Sequence, residues 1–352
     1  MTIDKIQIQN VAIGKHHPPF IVAEMSGNHN QSLDRALKLV EAAAQAGVQG
    51  LKLQTYTADT ITLDVESNDF VISDPQSLWH GKSLHQLYHE AHTPWEWHEP
   101  IFERCRQLGL IGFSSPFDES AVDFLENLNV PCYKIASFEN SHLPLIEKVA
   151  RTGKPMIIST GTSTLSELDE AVHTAQKAGC QDLILLKCTS TYPANPENSN
   201  LLTIPHLRDL FNVQVGLSDH TMGIGVAIAS TAVGATFIEK HLTLRRAEGG
   251  VDSAFSMEPH ELQQLVIETK RAWQSLGHIQ YGLVAAEEKS RMFRRSLFIA
   301  QDMKAGDIFT PENLRVVRPS TGLHPRYYEE LLGKAINQDA AKGTPMTWSM
   351  MS

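Results

Sequence analysis

Short apolar, β-branched runs alternate with longer amphipathic stretches between residues 20 and 245. Such runs separated by helical patterns are typical of βαβ units and predict a parallel sheet. The predicted strands are Phe20–Ala23, Gly50–Leu53, Leu110–Phe113, Cys132–Ile135, Met156–Ile158, Leu183–Leu186, Val215–Leu217 and Phe237–Glu239. Eight strands with intervening helices favour a closed (β/α)8 TIM barrel over an open sheet.

Helical periodicity is clear in four of the intervening stretches. Several of them end in Ala-Gly or Leu-Gly, where a glycine suits the positive φ of a helix C-cap. The predicted helices are Leu33–Ala46, Glu119–Leu128, Leu165–Ala178 and Gly225–Val233.

A long insertion, about residues 56–95, separates the second and third predicted strands and is rich in Trp, His and Asp. A segment of this length on a barrel is often a loop that covers the substrate. A solvent-exposed loop that does not contact substrate explains the pattern equally well, and the sequence leaves both interpretations open.

The pattern changes after residue 284, where the charged connector AAEEKSRMFRRS precedes a region punctuated by Gly, Pro and Thr. That region contains an internal echo, DMKAGDIFT from Asp302 and DAAKGTPMT from Asp339. We therefore predict a barrel domain at 1–284, and a linker with a small pseudo-repeat domain at 285–352. About 60 residues make only a thin core, so we expect this domain to dock against a partner surface.

The composition is that of a soluble globular protein. The 352 residues are 42% hydrophobic and 20% charged, and 30 basic against 40 acidic residues give a net charge of −10. This balance argues against nucleic-acid binding, which needs a basic surface. The sequence shows neither a signal-peptide core nor an apolar run of about 18 residues, so we predict a cytoplasmic protein that binds no membrane. The four cysteines lack CxxC spacing and are expected to be free thiols.

Polar residues gather at the C-terminal ends of all eight predicted strands, where a closed α/β barrel carries its active site. Capping alone does not readily explain such a series, and it therefore indicates a functional site. Its members include Glu24, Lys52, Gln54, Ser115, Lys134, Ser137, Glu139, Ser159, Lys187, Tyr192, Ser218, His220, Glu239 and His241.

Two of these lysines are expected to be buried, because Lys52 and Lys134 interrupt the apolar runs GLKLQ and CYKIAS. A buried lysine requires a charge partner or a bound anion. With serine and threonine hydroxyls beside them, the two ammonium groups would form a cradle for phosphate or carboxylate.

Two histidines end consecutive predicted strands, and we expect the side chains of His220 and His241 to be neighbours. With nearby Glu and Asp they could hold a divalent ion that keeps positions open for water and substrate. Glu24, after the first strand, is a candidate acid, base or water-orienting group. A hydrogen-bonded buried carboxylate is the alternative interpretation of Glu24.

A series of motifs resembles the sialic acid synthase family. In chain order they are IVAEMSGNHNQSLDRA, LKLQTY, FSSPFD, PCYKIASFE, IISTG, LKCTSTYP, VGLSDHTMG and IEKHLT. RRSLFIAQDMKAGDIFT and LRVVRPSTG resemble the family's C-terminal antifreeze-like (SAF) domain. TPWEWH, KIASFE and YGLVAAEEKSRMFRRSLF are most similar to the pseudaminate-forming members. Formation of N-acetylneuraminate or legionaminate by the same mechanism is the alternative.

The resemblance implies a transferase that condenses phosphoenolpyruvate with an open-chain amino-sugar aldehyde. The products would be a nine-carbon 2-keto-3-deoxy acid and phosphate. For a pseudaminate-type enzyme the sugar is the diacetamido-trideoxy amino sugar 2,4-diacetamido-2,4,6-trideoxy-β-L-altropyranose. A divalent metal, Mn²⁺ or Mg²⁺, would be held by His220 and His241.

Further roles follow from the same resemblance. Glu139 and Tyr192 would face the sugar, and Glu24 would lie beside the reacting carbons. Arg318 of the SAF domain would reach the neighbouring subunit's site, which implies a domain-swapped homodimer. The residues expected on the phosphoenolpyruvate side are Lys52, Gln54, Ser115, Lys134, Ser137, Ser159 and Ser218.

Two departures concern the sugar pocket. Ser190 stands where N-acetylneuraminate synthases have Asn, and Phe138 stands where they have Gly. We expect the smaller polar group and the added ring to favour a deoxy, doubly N-acetylated sugar.

Two other functions compete with the synthase interpretation. One is a Schiff-base aldolase on the same barrel, with Lys134 or Lys187 as the nucleophile. The other is a non-enzymatic sugar- or ice-binding protein, which only the antifreeze-like tail suggests.

Overall fold

Eight parallel strands close into a barrel in the computed structural model of the protein, which describes residues 4–65 and 67–351. Residues 1–3 of the N-terminal segment, Glu66 of the insertion and Ser352 lie outside the described residues. The last barrel strand pairs with both the seventh and the first, and this closes the sheet. The predicted (β/α)8 barrel is confirmed.

A short antiparallel pair, β1 (Ile6–Ile8) and β2 (Val11–Ile13), precedes the barrel. Most barrel strands continue past their apolar run into the polar residues that follow it. The barrel strands are β3 (Phe20–Glu24), β4 (Gly50–Thr55), β5 (Ile111–Pro116), β6 (Tyr133–Ile135), β7 (Met156–Ser159), β8 (Leu183–Cys188), β9 (Gln214–Asp219) and β10 (Phe237–His241).

Four of the helices, α1, α5, α7 and α9, follow the predicted amphipathic stretches to within one residue at each end. α1 begins after Ser32, whose hydroxyl accepts from the Arg35 amide at 3.3 Å, and ends at Gly47, where φ is 86°. The helices of this part of the chain are α1 (Leu33–Ala46), α2 (Ala58–Ile61), α3 (Leu84–Ala91), α4 (His98–Gln107), α5 (Glu119–Asn127), α6 (Leu143–Ala150), α7 (Leu165–Lys177), α8 (Thr203–Phe211), α9 (Gly225–Ala232) and α10 (Pro259–Leu276).

Apolar side chains close the N-terminal end of the barrel. Phe20 and Phe237 begin β3 and β10, and their rings stack with centroids 5.2 Å apart. Ile6, Ile8 and Ile13 of the β1–β2 pair belong to the same buried cluster. Because this end is filled with hydrocarbon, the polar residues of the strands are left to the opposite, C-terminal end.

A second compact unit begins at His278, the first ending at Gly277. It contains the antiparallel strands β11 (Ser296–Ile299) and β12 (Leu314–Val317) and the short helix α11 (Tyr328–Leu331). Its core includes Leu297, Phe309, Leu314, Ile336 and Met346. The assignment of 1–284 and 285–352 as domains stays a prediction.

The two similar segments of the second unit, which begin at Asp302 and Asp339, pair with each other. The Met303 amide donates to the Ala340 carbonyl at 2.8 Å, and the reverse bond is 2.9 Å long. The Asp302 carboxylate accepts from the Lys342 amide at 2.7 Å, and the Asp339 carboxylate accepts from the Ala305 amide at 3.0 Å. Each leading Asp therefore fixes the turn of the other copy, which explains the repeated spacing.

Within residues 4–65 and 67–351, we find no helix both long enough and apolar enough to cross a membrane. All four cysteines are free and buried.

Candidate active site

Two lysines from different strands converge on one carboxylate inside the barrel. Lys134 Nζ donates to Glu239 Oε1 at 3.1 Å, and Lys52 Nζ lies 3.2 Å from the same oxygen. Lys52 Nζ also lies 2.9 Å from Glu24 Oε2. All four side chains are at most 3% exposed. Residues alternate between the two faces of a strand, so Lys52 points inward while its neighbours Leu51 and Leu53 join the barrel–helix core.

Burial and charge act differently on the two carboxylates. Burial raises the pKa of Glu24 above its ordinary value. Burial also opposes ionisation of Glu239, but Lys134 and Lys52 outweigh it and lower the pKa of that carboxyl. The cluster therefore holds two ammonium groups, the Glu239 carboxylate and a second carboxyl, Glu24, whose ionisation burial disfavours. Burial lowers the pKa of Lys134, because its ammonium form is poorly solvated inside the barrel. An incoming anion would stabilise that charged form.

Polar groups from three further strands surround this cluster. Ser115 Oγ accepts from Lys52 Nζ at 3.2 Å, and Gln54 Nε2 donates to Glu24 Oε1 at 2.9 Å. The Ser218 hydroxyl lies 3.5 Å from Glu239 Oε1. Ser159 Oγ is buried and makes no hydrogen bond within the described part of the chain, so it is available to a ligand.

The loop after β7 brings Gly161 beside the hydroxyls of Ser137 and Ser190. Ser137 Oγ accepts from the Gly161 amide at 3.2 Å. A Cβ on Gly161 would lie 2.1 Å from Ser190 Oγ and 2.6 Å from Ser137 Oγ. Only glycine therefore allows both hydroxyls to approach this position. Asn140 fixes the loop by donating to the Ser159 and Gly161 carbonyls, each at 3.1 Å.

The two predicted metal ligands are neighbours, with the ring centroids of His220 and His241 5.3 Å apart. His220 Nδ1 lies 3.0 Å from the Thr189 carbonyl, which can only accept, so Nδ1 is the donor here and Nε2 is the nitrogen left for a metal. His241 Nδ1 is buried, and none of the described residues hydrogen-bonds to it. Its nearest carboxylate oxygen, Asp252 Oδ2, lies 3.7 Å away.

These histidines suit a divalent ion. Burial lowers the pKa of His241 well below its ordinary value, so the ring is neutral and can offer a lone pair to a metal. Across residues 4–65 and 67–351, no group of three or more His, Cys, Asp or Glu side chains is arranged around a metal position. A metal held here would have two imidazoles as its protein donors, and water and substrate oxygens would complete the coordination.

An aromatic wall stands beside the histidines. The Tyr192 ring lies 4.6 Å from the His220 ring and 5.2 Å from that of Phe255. The Phe255 ring lies 4.9 Å from that of His241. Burial raises the pKa of the nearby Glu139 carboxyl, predicted to face the sugar, to about 7.

Sequence reasoning placed Glu239 among the polar residues of the site without giving it a specific role, and it missed Cys188, Asp252 and Phe255. Glu239 precedes His241 by two residues on β10, so strand alternation could have placed both side chains inside the barrel. Burial opposes ionisation of Cys188, but a contact with His220 outweighs it and lowers the thiol pKa to about 6. Asp252 accepts from Ser26 and, like Phe255, belongs to the loop after β10, where no periodic pattern points to the site.

The insertion contains α2, a 3₁₀ turn at Asn68–Phe70 and α3. It reaches the aromatic wall through Trp79, whose ring centroid is 5.9 Å from that of Tyr192. Arg318 follows β12 in the second unit, and its role in a neighbouring subunit's site stays a prediction.

Comparison with known proteins agrees with these features. Residues 39–281 match the NeuB family, and residues 294–351 match the SAF domain. The chain belongs to the NeuB family. The resemblance to sialic acid synthases and to their SAF domain is thereby confirmed.

Several relatives of this NeuB-family chain cover nearly its whole length. A pseudaminic acid synthase of Helicobacter pylori is 43% identical over 331 residues, which are 94% of this chain and 97% of the relative. An N,N'-diacetyllegionaminic acid synthase of Campylobacter jejuni is 34% identical over 89% of this chain and 94% of its own. The crystal structure of an N-acetylneuraminic acid synthetase from Leptospira borgpetersenii superposes with a TM-score of 0.72 at 32% identity. It covers 81% of this chain and 94% of that chain.

Proposed function

We propose that this protein is a pseudaminic acid synthase. It condenses phosphoenolpyruvate with 2,4-diacetamido-2,4,6-trideoxy-β-L-altropyranose and water to give pseudaminic acid and phosphate. The observation that carries the proposal is the 43% identity, over nearly the full length of both chains, to a relative of that name. Legionaminate synthesis is the second candidate, supported by the 34% identity to a legionaminate-forming relative.

The buried lysine cluster is the proposed phosphoenolpyruvate site. The substrate brings a carboxylate and a phosphate, and Lys52 and Lys134 supply two ammonium groups held in place by Glu239. Hydroxyls at 115, 137, 159 and 218 can donate to the remaining oxygens. Because the cluster is dry, each of these contacts is stronger than it would be in water.

His220 and His241 are the proposed metal ligands. A divalent ion held there would supply Lewis-acid polarisation of the sugar aldehyde oxygen. The proposed ion is Mn²⁺ or Mg²⁺, and water and substrate would supply the oxygen ligands that both ions prefer. The Thr189 carbonyl holds the His220 ring in the tautomer that leaves Nε2 free.

The remaining residues position and protonate the reactants. C3 of the enol attacks the aldehyde carbon, water adds at C2, and phosphate leaves with its bridging oxygen by C–O cleavage. Glu24, hydrogen-bonded to Gln54 and with a raised pKa, can hold a proton beside the reacting carbons. Glu139 and Tyr192 face the sugar.

The proposal also covers the oligomeric state of the protein and its location in the cell. We propose a homodimer in which the SAF domain is exchanged and Arg318 completes the neighbouring subunit's site. The four free, buried thiols are consistent with a reducing cytoplasm.

Phosphate release, measured together with product mass, tests the function. The protein is incubated with phosphoenolpyruvate, Mn²⁺ and, in parallel, the altrose derivative, the legionaminate precursor or N-acetylmannosamine. A product of pseudaminate mass from the altrose derivative alone is expected. Turnover of only one of the other sugars would overturn the assigned substrate and keep the mechanism. No turnover of any sugar by folded, metal-loaded protein would overturn the synthase proposal.

The aldolase alternative is tested with borohydride. If activity survives EDTA and borohydride traps a pyruvate adduct on Lys134 or Lys187, the Schiff-base mechanism replaces the metal-dependent one.

A further inference from the structure

The insertion places an indole ring against the predicted sugar site. Trp79 Nε1 donates to the Val251 carbonyl, in the loop after β10, at 2.9 Å. Its ring lies 5.9 Å from that of Tyr192, which in turn lies 4.6 Å from His220. Trp79 is thus connected to the proposed metal ligand through one intervening ring, although more than one hundred residues separate them along the chain.

Trp79 also lines a cavity of about 540 Å³ at the mouth of the barrel. Its lining combines the apolar side chains of Leu78 and Ala254, the side-chain amides of Asn30 and Gln31, and a charged pair, Lys82 and Glu90, whose members neutralise each other. The Asn30 NH₂ group donates to the Gly249 carbonyl at 3.3 Å, and that of Gln31 donates to the His92 carbonyl at 2.8 Å. Their amide oxygens are then the atoms that can accept from a ligand.

An acetamido group matches this lining. It carries an apolar methyl, one N–H donor and one carbonyl acceptor. The methyl can pack on the indole face, and the N–H can donate to an amide oxygen of Asn30 or Gln31. The cavity belongs to the insertion and to the loops after β3 and β10, elements separate from the lysine cluster. A ligand here would therefore contribute to sugar recognition and leave phosphoenolpyruvate binding unaffected.

We infer that Trp79 is a specificity-determining residue that binds an acetamido substituent of the sugar in the cavity it lines. This inference rests on the proposed function, because it takes the sugar to be doubly N-acetylated. In this proposal the insertion covers the sugar, whereas residues of the barrel strands bind phosphoenolpyruvate.

Steady-state kinetics of Trp79→Ala and Trp79→Phe test the inference. We expect the alanine variant to lose roughly 10- to 100-fold in kcat/KM for the diacetamido sugar, since apolar pocket contacts discriminate by factors of this order. The phenylalanine variant should retain part of the activity, and KM for phosphoenolpyruvate should stay unchanged in both. The preference for the diacetamido sugar over N-acetylmannosamine, which has one acetamido group, should fall.

Trp95 supplies a matched control. It is also partly buried and donates its indole N–H to a backbone carbonyl, that of Tyr56 at 3.3 Å, but its ring packs on Phe124 on the helical side of the barrel. Trp95→Phe should leave sugar specificity unchanged. A loss of specificity equal to that of Trp79→Phe would overturn the inference, as would a change of less than about 3-fold in Trp79→Ala.

Tryptophan fluorescence gives a readout that needs no turnover. With phosphoenolpyruvate bound and divalent ions removed by EDTA, the sugar should change the emission of the wild-type protein and of Trp95→Phe. The change should be lost in Trp79→Phe. A change that persists in Trp79→Phe would overturn the inference even if the synthase proposal holds. Absence of turnover together with a Trp79-dependent change would overturn the synthase proposal alone.

Discussion

Lys134 Nζ and Glu239 Oε1 lie 3.1 Å apart in the barrel interior, although 105 residues separate them in the chain. Lys52 shares the same carboxylate oxygen at 3.2 Å. One buried carboxylate oxygen therefore serves two buried ammonium groups, and Glu24 is a second partner for Lys52 alone. Loss of one member of such a set leaves the others without full compensation.

Glu239→Gln should destabilise the substrate-free protein. The two lysines would keep their positions but lose the carboxylate that stabilises them, so we expect the free energy of unfolding to fall by about 3 kcal/mol. Urea denaturation at pH 7 measures this change. Inorganic phosphate should restore part of the lost stability, because it supplies a replacement anion for the lysines.

A surface carboxylate is the control for this experiment. Glu147 of α6 pairs with Arg151, the residue that follows the helix, and both side chains are substantially exposed. Glu147→Gln should therefore change the free energy of unfolding by less than about 1 kcal/mol. Equal effects of the two substitutions would contradict a special role for the buried cluster.

The raised pKa of Glu139 predicts a pH dependence of stability. Burial moves this pKa from 4.5 to about 7, so between these values the folded state binds more protons at this site than the unfolded state. Stability contributed by Glu139 is then lost as pH rises from 4.5 to 7. Glu139→Gln removes this loss, and it should be more stable than wild type above pH 7 by about 1 kcal/mol, because the side chain is only partly enclosed.

Thermal denaturation of both proteins at several pH values measures this difference. The advantage of Glu139→Gln should grow between pH 4.5 and 7 and then stay constant. In wild type, KM for the sugar should also change near pH 7, whereas in the variant it should not. A stability difference that is independent of pH would show that the pKa of Glu139 is not raised.

His241→Ala should remain folded but lose metal binding. Mn²⁺ at 100 times its dissociation constant should stabilise wild type by about 2.7 kcal/mol, and this increment should be absent from the variant. The shift of Tm on adding Mn²⁺ measures it without turnover, and phosphate release reports the loss of activity. Replacement of the exposed His206 by alanine is the control. Unchanged turnover of His241→Ala in excess manganese would refute the ligand role.

Arg318→Ala should impair catalysis and leave the dimer intact. A charged hydrogen bond to substrate contributes about 1.5–3 kcal/mol, so kcat/KM should fall roughly 10- to 100-fold. Arg315→Ala, at an exposed position of β12, should have little effect. Sedimentation should give the same mass for both variants and wild type. Normal kinetics of Arg318→Ala would remove this residue from the site.

Local patterns explain why the elements were predictable. The apolar run at Leu183–Leu186 becomes β8, and the amphipathic stretch at Leu33–Ala46 becomes α1 without change of bounds. Both depend on contacts between near neighbours in sequence, and these are encoded by side-chain periodicity and by residues such as Gly47. Strand alternation also puts Lys52 and Gln54, two residues apart on β4, on one face.

Other features depend on contacts between distant segments. The Ser26–Asp252 hydrogen bond joins residues 226 positions apart, and the insertion contacts the site through Trp79 and Val251, 172 positions apart. Neither pair lies in a periodic pattern, because each position is set by loops that follow different strands.

The sequence by itself determined the eight strands, four of the helices between them, the polar residues at one end of the barrel and the family. The tertiary structure alone decided that Glu239 serves both lysines, that Glu24 and Glu139 have raised pKa values, and that an aromatic wall borders the histidines. The physical reason is the closure of the barrel. Pairing of β10 with β3 brings Glu239 beside Glu24 and Lys52 and removes water from all three. The ion-pair partners of these three residues, their burial and the shifts of their pKa values follow from that closure rather than from any local pattern.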